Sequence, residues 1–231
     1  MSGLGLAIAL VLAYLLGSTP TGLLIVRLAT GQDVRKVHSG RTGGTNVARA
    51  AGVWAGVLTG LLDGLKGAAA VWLTRVIAQG LPWGDAAAAA LAVVGHNYSV
   101  FLLERSNGRL RFRGGAGGAT TLGAAIALWA PAALILPLAL LVLFGVGYAS
   151  LATLSVGVLT TGAFVWRAMS GLGPWAYAAF GLIASILLFW SLRPNIGRLI
   201  EGNERLVGLR AYYRKRRQPR DGQQEPPPRV D

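Results

Sequence analysis

Residues Ala119–Gly147 read ATTLGAAIALWAPAALILPLALLVLFGVG and carry no charge. A helix needs about 20 apolar residues to cross the hydrocarbon core of a bilayer. This stretch is too long for one comfortable crossing and holds Pro131 and Pro137. Proline removes a helix donor and crowds the preceding turn, so a reversal is expected at Pro131. Both halves are then short. The first is short enough to half-cross or re-enter, a break that survives at membrane depth when protein buries it.

The number of crossings follows from charge. Further apolar runs cover about 4–28, 53–80, 85–103, 149–168 and 174–192. Lys and Arg collect in cytoplasmic loops, which puts the basic loops 29–50 and 104–118 on the inner face. Counting 119–147 as one span sends the ten basic residues of 193–231 outside, whereas a split at Pro131 keeps them in. The expected fold class is therefore all-α: a polytopic transmembrane helical bundle of about seven membrane segments, N-terminus outside and C-terminus cytoplasmic. Residues 1–210 are read as one transmembrane domain. Residues 211–231, with Arg214–Arg217 and the run Pro226–Pro228, are too polar to bury themselves and are expected to form a basic, Pro-rich, disordered cytoplasmic tail near anionic headgroups. The N-terminus lacks a basic n-region and a small-residue cleavage site, so it reads as a first span rather than a signal peptide.

Composition agrees with this reading. The chain is 53% hydrophobic and 13% charged, with mean hydropathy +0.52, where soluble domains carry roughly 25% charged residues. Its net charge of +13 is gathered in blocks, with five of 22 Lys and Arg in 27–49, four in 105–113 and ten in 193–231. Membrane topology produces such blocks; a nucleic-acid surface would interleave basic residues with exposed aromatics, so no nucleic-acid partner is expected. With no cysteine, two distant histidines and no carboxylate cluster, no metal site is expected either.

Three inner-face segments are unusual for connectors. The first is His38-Ser39-Gly40-Arg41-Thr42-Gly43-Gly44-Thr45-Asn46, followed by Arg49. Glycines Gly40 and Gly43 let backbone amides converge on an anion. Ser39, Thr45 and Asn46 add short polar groups, and Arg49 can clamp a phosphate bidentately. The same pattern also suits a plain loop with a helix N-cap at Thr45 or Asn46. The second is Arg113-Gly114-Gly115-Ala116-Gly117-Gly118-Ala119-Thr120, a glycine run opening a helix, where free amides and the positive dipole end meet. It lacks a Walker ending, and membrane glycines also serve close packing. The third is Arg193-Pro194-Asn195-Ile196-Gly197-Arg198 with Glu201 and Glu204, just past the final span, where Asn195 and Arg198 complete a phosphate pocket or anchor the helix at the interface.

Two sites lie inside spans. Asp63 and Lys66 are three residues apart and share a helix face. Such charges face a partner or cavity, so they pair with each other or Lys66 lines an anionic substrate path. His96 ends an apolar run and suits proton transfer near neutrality, or packs as a hydrogen-bonding residue. No nucleophile elbow or Ser-His-Asp signature occurs, so any chemistry rests on positioning and electrostatics.

Together these segments resemble the bacterial acyl-phosphate-dependent glycerol-3-phosphate acyltransferases, which are integral membrane enzymes. The likeness runs from about Tyr14 to Glu204. It is carried by Leu16-Gly17-Ser18-Thr19-Pro20-Thr21-Gly22, by Ser39-Gly40 with Gly43–Asn46 and Arg49, and by Asp63-x-x-Lys66-Gly67 and Gly95-His96. Ser150-Leu151-Ala152-Thr153, and Asn195-Ile196 with Arg198-Leu199 and Gly202-x-Glu204, continue it.

The resemblance implies acyl transfer from acyl phosphate to the sn-1 hydroxyl of glycerol 3-phosphate in phospholipid synthesis at the bacterial inner membrane, with the active site facing the cytoplasm. Lysophosphatidic acid and phosphate are the implied products. It implies no cofactor, membrane lipids as surroundings, and no obligate protein partner. By motif position, Ser39, Arg49 and Asn195 are the implied catalytic residues. Gly40, Gly43, Thr45, Asn46, Lys66, His96 and Ser150 are assigned to acyl phosphate, and Gly114, Gly115, Gly117, Thr120 and Arg198 to glycerol 3-phosphate. The sequence departs from the family pattern at Ala116, where lysine is usual, at Leu192, where histidine is usual, and at Arg41, where asparagine is usual. About eight residues are inserted around Glu104–Arg111. Arg41, Arg109 or Arg111 is expected to replace the lost cation. The alternative is a catalytically diverged member that binds or moves an anionic lipid or phosphorylated metabolite.

Overall fold

The computed structural model describes residues 3–211 except 107 and 209. Nearly all of the expected tail therefore lies outside the described residues. Four stretches are long and apolar enough to cross a membrane: Gly3–Thr30, Val53–Ala78, Ala149–Met169 and Trp175–Ile200.

The chain reverses at Pro131, as the uncharged stretch 119–147 predicts. Helix α6 (Gly118–Leu128) stops at Trp129, a single 3-10 turn spans Ala130–Leu134, and α7 (Ile135–Val146) follows. Pro131 sits at the start of that turn. Pro137 falls in the first turn of α7, where its missing amide has no helical partner to lose.

Four expectations are corrected. The first apolar run is not one helix: α1 (Gly3–Ser18) and α2 (Thr21–Thr30) are separated at Thr19-Pro20, because Pro20 cannot donate to the turn before it. Helix α3 (Gly44–Ala51), with Gly43 rather than Thr45 or Asn46 at its N-cap, is followed by α4 (Val53–Ala78) in the apolar run expected at 53–80. Helix α5 (Pro82–Asn97) ends six residues short of the apolar run, and the bundle is not all-α. Strands β1 (Ser99–Ser106) and β2 (Arg109–Arg113) form an antiparallel hairpin, with Leu103 opposite Phe112 and Arg105 opposite Leu110. Finally, α8 (Ala149–Met169) is followed by α9 (Trp175–Ile200), which runs straight through Pro194. Asn195 and Arg198 are thus on the last turns of α9 rather than beyond it.

Contacts fix the direction of each helix. At one end, Ser99 Oγ donates to Ser18 O at 2.5 Å, Gly115 N–H to His96 O at 3.0 Å, and Val207 N–H to Gly147 O at 2.8 Å. At the other, Arg75 donates to Ala127 O at 2.7 Å, Trp129 packs on Phe164 at 6.4 Å, and Phe164 on Tyr177 at 5.8 Å. Helices α1, α5, α7 and α9 therefore run toward the loop-bearing end, and α4, α6 and α8 run away from it.

Packing relies on small residues. A Cβ on Gly123 would overlap Gly64 O of α4, and one on Gly67 would overlap Thr120 O of α6. Between apolar helices in lipid, such close contact supplies the attraction that water supplies elsewhere. Outside, Leu61, Leu65, Leu141 and Ile186 are more than half exposed, a surface suited to hydrocarbon rather than water. Gly123→Ala is expected to cost about 1–3 kcal/mol through overpacking, read as a lowered Tm in detergent. Gly162→Ala, which meets nothing within 4 Å, is the control. An unchanged Tm for G123A would mean that α4 and α6 pack less closely.

Candidate active site

The loop before α3 is shaped by one buried side chain. Asn46 Nδ2 donates toward three carbonyls, Val34 at 3.2 Å, Val37 at 3.0 Å and Arg41 at 2.8 Å. Its Oδ1 accepts from Ser39 N–H at 3.4 Å. Gly40 turns the chain at φ +67°, with Arg35 O only 2.9 Å from where a Cβ would stand. Arg35 bonds Asp33 at 2.7 Å and holds that carboxyl down at about 2, so the pair stays ionised at any physiological pH. Arg35 also reaches Glu104 at 2.7 Å, and Glu104 reaches Arg113 at 3.1 Å, tying the hairpin to the loop. Ser39 and Thr45 are left exposed.

This loop meets the glycine run directly, since Thr42 N–H donates to Gly114 O at 3.3 Å. Gly114 and Gly115 press on the backbone and ring of His96, leaving no room for a Cβ. Gly117, at φ +94°, opens α6, and Gly43 opens α3; neither helix start has a side-chain cap. Both helix starts thus keep amides without a side-chain cap, each with the positive end of its dipole, and the Thr42–Gly114 bond links the segments that lead into them. Thr120 lies deeper, fully buried against Gly67.

The end of α9 closes the third side. Pro194 deprives Trp190 O of its helical donor, and the next carbonyl, Ser191 O, accepts from the Arg41 guanidinium. Beyond the helix, the Glu204 carboxylate accepts from Asn195 Nδ2 at 2.8 Å, Arg198 Nε at 2.9 Å and Ser150 Oγ at 3.4 Å. Arg49 is exposed on α3. Its guanidinium is pushed below the usual arginine range by partial burial and by Arg205, with Glu204 opposing. Ser39, Arg49, Asn195, Ser150, Arg198 and the start of α6 are therefore gathered at one end.

Lys66 and His96 sit beneath this assembly. Asp63 Oδ1 accepts from Thr21 Oγ1 at 2.5 Å and Lys66 Nζ at 2.8 Å, with His96 Nδ1 at 3.5 Å. Lys66 also donates to Thr19 O at 3.0 Å, filling the break between α1 and α2. Both residues are engaged within the protein.

The family model described as glycerol-3-phosphate acyltransferase matches residues 7–202. The chain belongs to the glycerol-3-phosphate acyltransferase family. Among its relatives, the glycerol-3-phosphate acyltransferase of Rubrobacter xylanophilus is 44% identical over 201 residues, covering 87% of this chain and 94% of the relative. That of Thermus thermophilus is 42% identical over 212 residues, covering 89% and 96%. A crystal structure of PlsY, an integral membrane glycerol 3-phosphate acyltransferase, in its glycerol 3-phosphate form superposes with TM-score 0.76 at 32% identity, covering 90% of this chain and 98% of that one. Its lysophosphatidic acid form gives TM-score 0.71 at 30% identity.

Within this acyltransferase family member, the departures have physical settings. Ala116 and Leu192 belong to one apolar cluster with Leu154 and Leu188. Arg109 and Arg111 stand exposed on β2, whereas Arg41 turns inward. Glu204 as a shared acceptor was not foreseen, because the contacts reach around a helix end and leave no periodic signal. Asn46→Asp replaces a donor by an acceptor facing three carbonyls. It is expected to cost about 1–3 kcal/mol and to speed hydrogen exchange of amides 35–41; protection equal to wild type would show that Asn46 does not shape the loop.

Proposed function

We propose that the chain transfers a fatty acyl group from acyl phosphate to the sn-1 hydroxyl of glycerol 3-phosphate, forming lysophosphatidic acid and inorganic phosphate. The observation that carries this reading is the convergence of two uncapped helix starts, at Gly43 and Gly117, with Arg41, Arg49 and Arg198 at one end of the bundle. Two phosphate-bearing substrates repel each other, and amides and guanidinium groups offset that repulsion while fixing orientation. The donor is already activated. The hydroxyl oxygen bonds to the acyl carbon, the carbon–oxygen bond to phosphate breaks, and a phosphate oxygen accepts the hydroxyl proton, so no protein base is required. Ser39, Thr45 and Arg49 hold the transferring phosphate, with Gly40, Gly43 and Asn46 shaping their loop. Gly114, Gly115, Gly117 and Asn195 with Arg198 hold the acceptor; Lys66, His96, Ser150 and Thr120 support these groups from behind.

We further infer that α1, α4, α5, α6, α7, α8 and α9 are seven membrane segments, N-terminus outside, in the bacterial inner membrane with the loop-bearing end in the cytoplasm. The blocks of Lys and Arg at that end support this orientation. Residues 211–231 are read as its basic cytoplasmic tail.

The apolar setting of Ala116 and Leu192 favours a second reading, a member that binds anionic lipid without turnover. Purified protein supplied with a long-chain acyl phosphate and labelled glycerol 3-phosphate separates the two. Wild type is expected to release one phosphate per lysophosphatidic acid formed, and S39A and R49A are each expected to fall by about 100-fold or more. Binding without phosphate release from well-folded wild type would leave only the second reading.

A further inference from the structure

Arg41 differs from the paired cations of this end. Its backbone is pinned on both sides, Arg41 N–H by Ser39 Oγ at 3.5 Å and Arg41 O by Asn46 Nδ2 at 2.8 Å. The side chain leaves the loop and crosses to α9, where one terminal nitrogen donates to Ser191 O. The other terminal nitrogen is buried and has no partner among the described residues. Arg35, Lys66, Arg113 and Arg198 each contact a carboxylate within 4 Å, but among the described residues no such ion pair holds Arg41. A guanidinium keeps its charge under protein conditions, so burying one without an anion is unfavourable until an anion arrives.

The surroundings of Arg41 are polar. Ser191 Oγ accepts from Asn97 Nδ2 at 2.9 Å, while Asn97 Oδ1 is buried, unpartnered among the described residues, and adjacent to Gly117 at the opening of α6. Arg41 thus stands on a line of contacts that ends at the free amides of that helix. Burial and Arg198 both disfavour its charge, with Glu204 offsetting them in part. A dianionic ligand would satisfy the idle N–H groups and the charge at once.

We propose that Arg41 is the counter-ion of a substrate phosphate in this chain, and so determines affinity for that phosphate. This rests on the acyl-transfer reading for its kinetic arm only. Arg41→Gln keeps a donor for Ser191 O but loses the charge; Arg41→Lys keeps the charge but loses the fork. In R41Q, the KM for glycerol 3-phosphate or for acyl phosphate, measured separately, is expected to rise about tenfold or more with kcat and Tm near wild type. The substrate whose KM rises names the phosphate held, and R41K is expected to recover part of the loss. Thermal protection of the full chain by each substrate and by inorganic phosphate, without turnover, is expected to weaken in R41Q. If wild type makes no lysophosphatidic acid, the acyl-transfer reading falls and the protection arm alone decides for Arg41. Unchanged KM values and unchanged protection overturn the proposal. So does an equal loss of Tm in both variants with no recovery by lysine, the mark of a tie between loop and α9. If R41Q does not fold, Arg41→Met takes its place, and wild-type protection in R41M overturns the proposal as well.

Discussion

Backbone touches backbone where α6 crosses α4, and the rest of the loop-bearing end hangs on that contact. Helix α6 has only 11 residues, too few to be fixed by side chains alone in an apolar medium. Gly123 against Gly64 and Gly67 against Thr120 O let it lie flush on α4, which at 26 residues is more than twice its length. Its first turn, and the glycine run leading into it, are thereby set at a constant height beside His96 and Asn97. At its other end the Arg75 guanidinium takes Ala127 O, one of the carbonyls a helix leaves unbonded, while binding Asp85 at 2.7 Å. A short helix is held at both tips by longer neighbours.

Above that foundation, polar residues divide into those that build and those that present. Asn46, Asp63, Lys66 and His96 spend their hydrogen bonds inside the protein, on loop carbonyls or on one another. Ser39, Thr45 and Arg49 face outward over them. Glu204 belongs to both groups, since it orders Asn195, Arg198 and Ser150 while offsetting the charge of Arg198. The arrangement fits chemistry that depends on placing two anions rather than on a strong base.

Sequence reasoning reached the parts that depend on local rules. The reversal at Pro131 follows from proline alone, and the basic blocks follow from membrane topology. It failed where local signals compete. The run Ser99–Leu103 is as apolar as the helix before it, so helix and strand could not be told apart by period. Pro20 broke a helix that hydropathy averages over, whereas Pro194 was carried within one. The convergence of Ser39, Arg49, the glycine run and Asn195 was readable only as an ordered set of motifs. The roles of Glu204 and of Arg41 arise from contacts 54 and 150 residues apart in sequence, which no spacing rule encodes.

The ties between hairpin and loop form a closed circuit. Arg35 grips Glu104, Glu104 grips Arg113, Arg113 leads into Gly114, and Gly114 O takes the amide of Thr42, which returns through Gly40 to Arg35. Gly40 lies against both Arg35 O and the Arg113 guanidinium, so the circuit is packed closed on itself. Loop, hairpin and glycine run are cross-braced into one unit, which has little ordering entropy left to lose when a ligand settles against it.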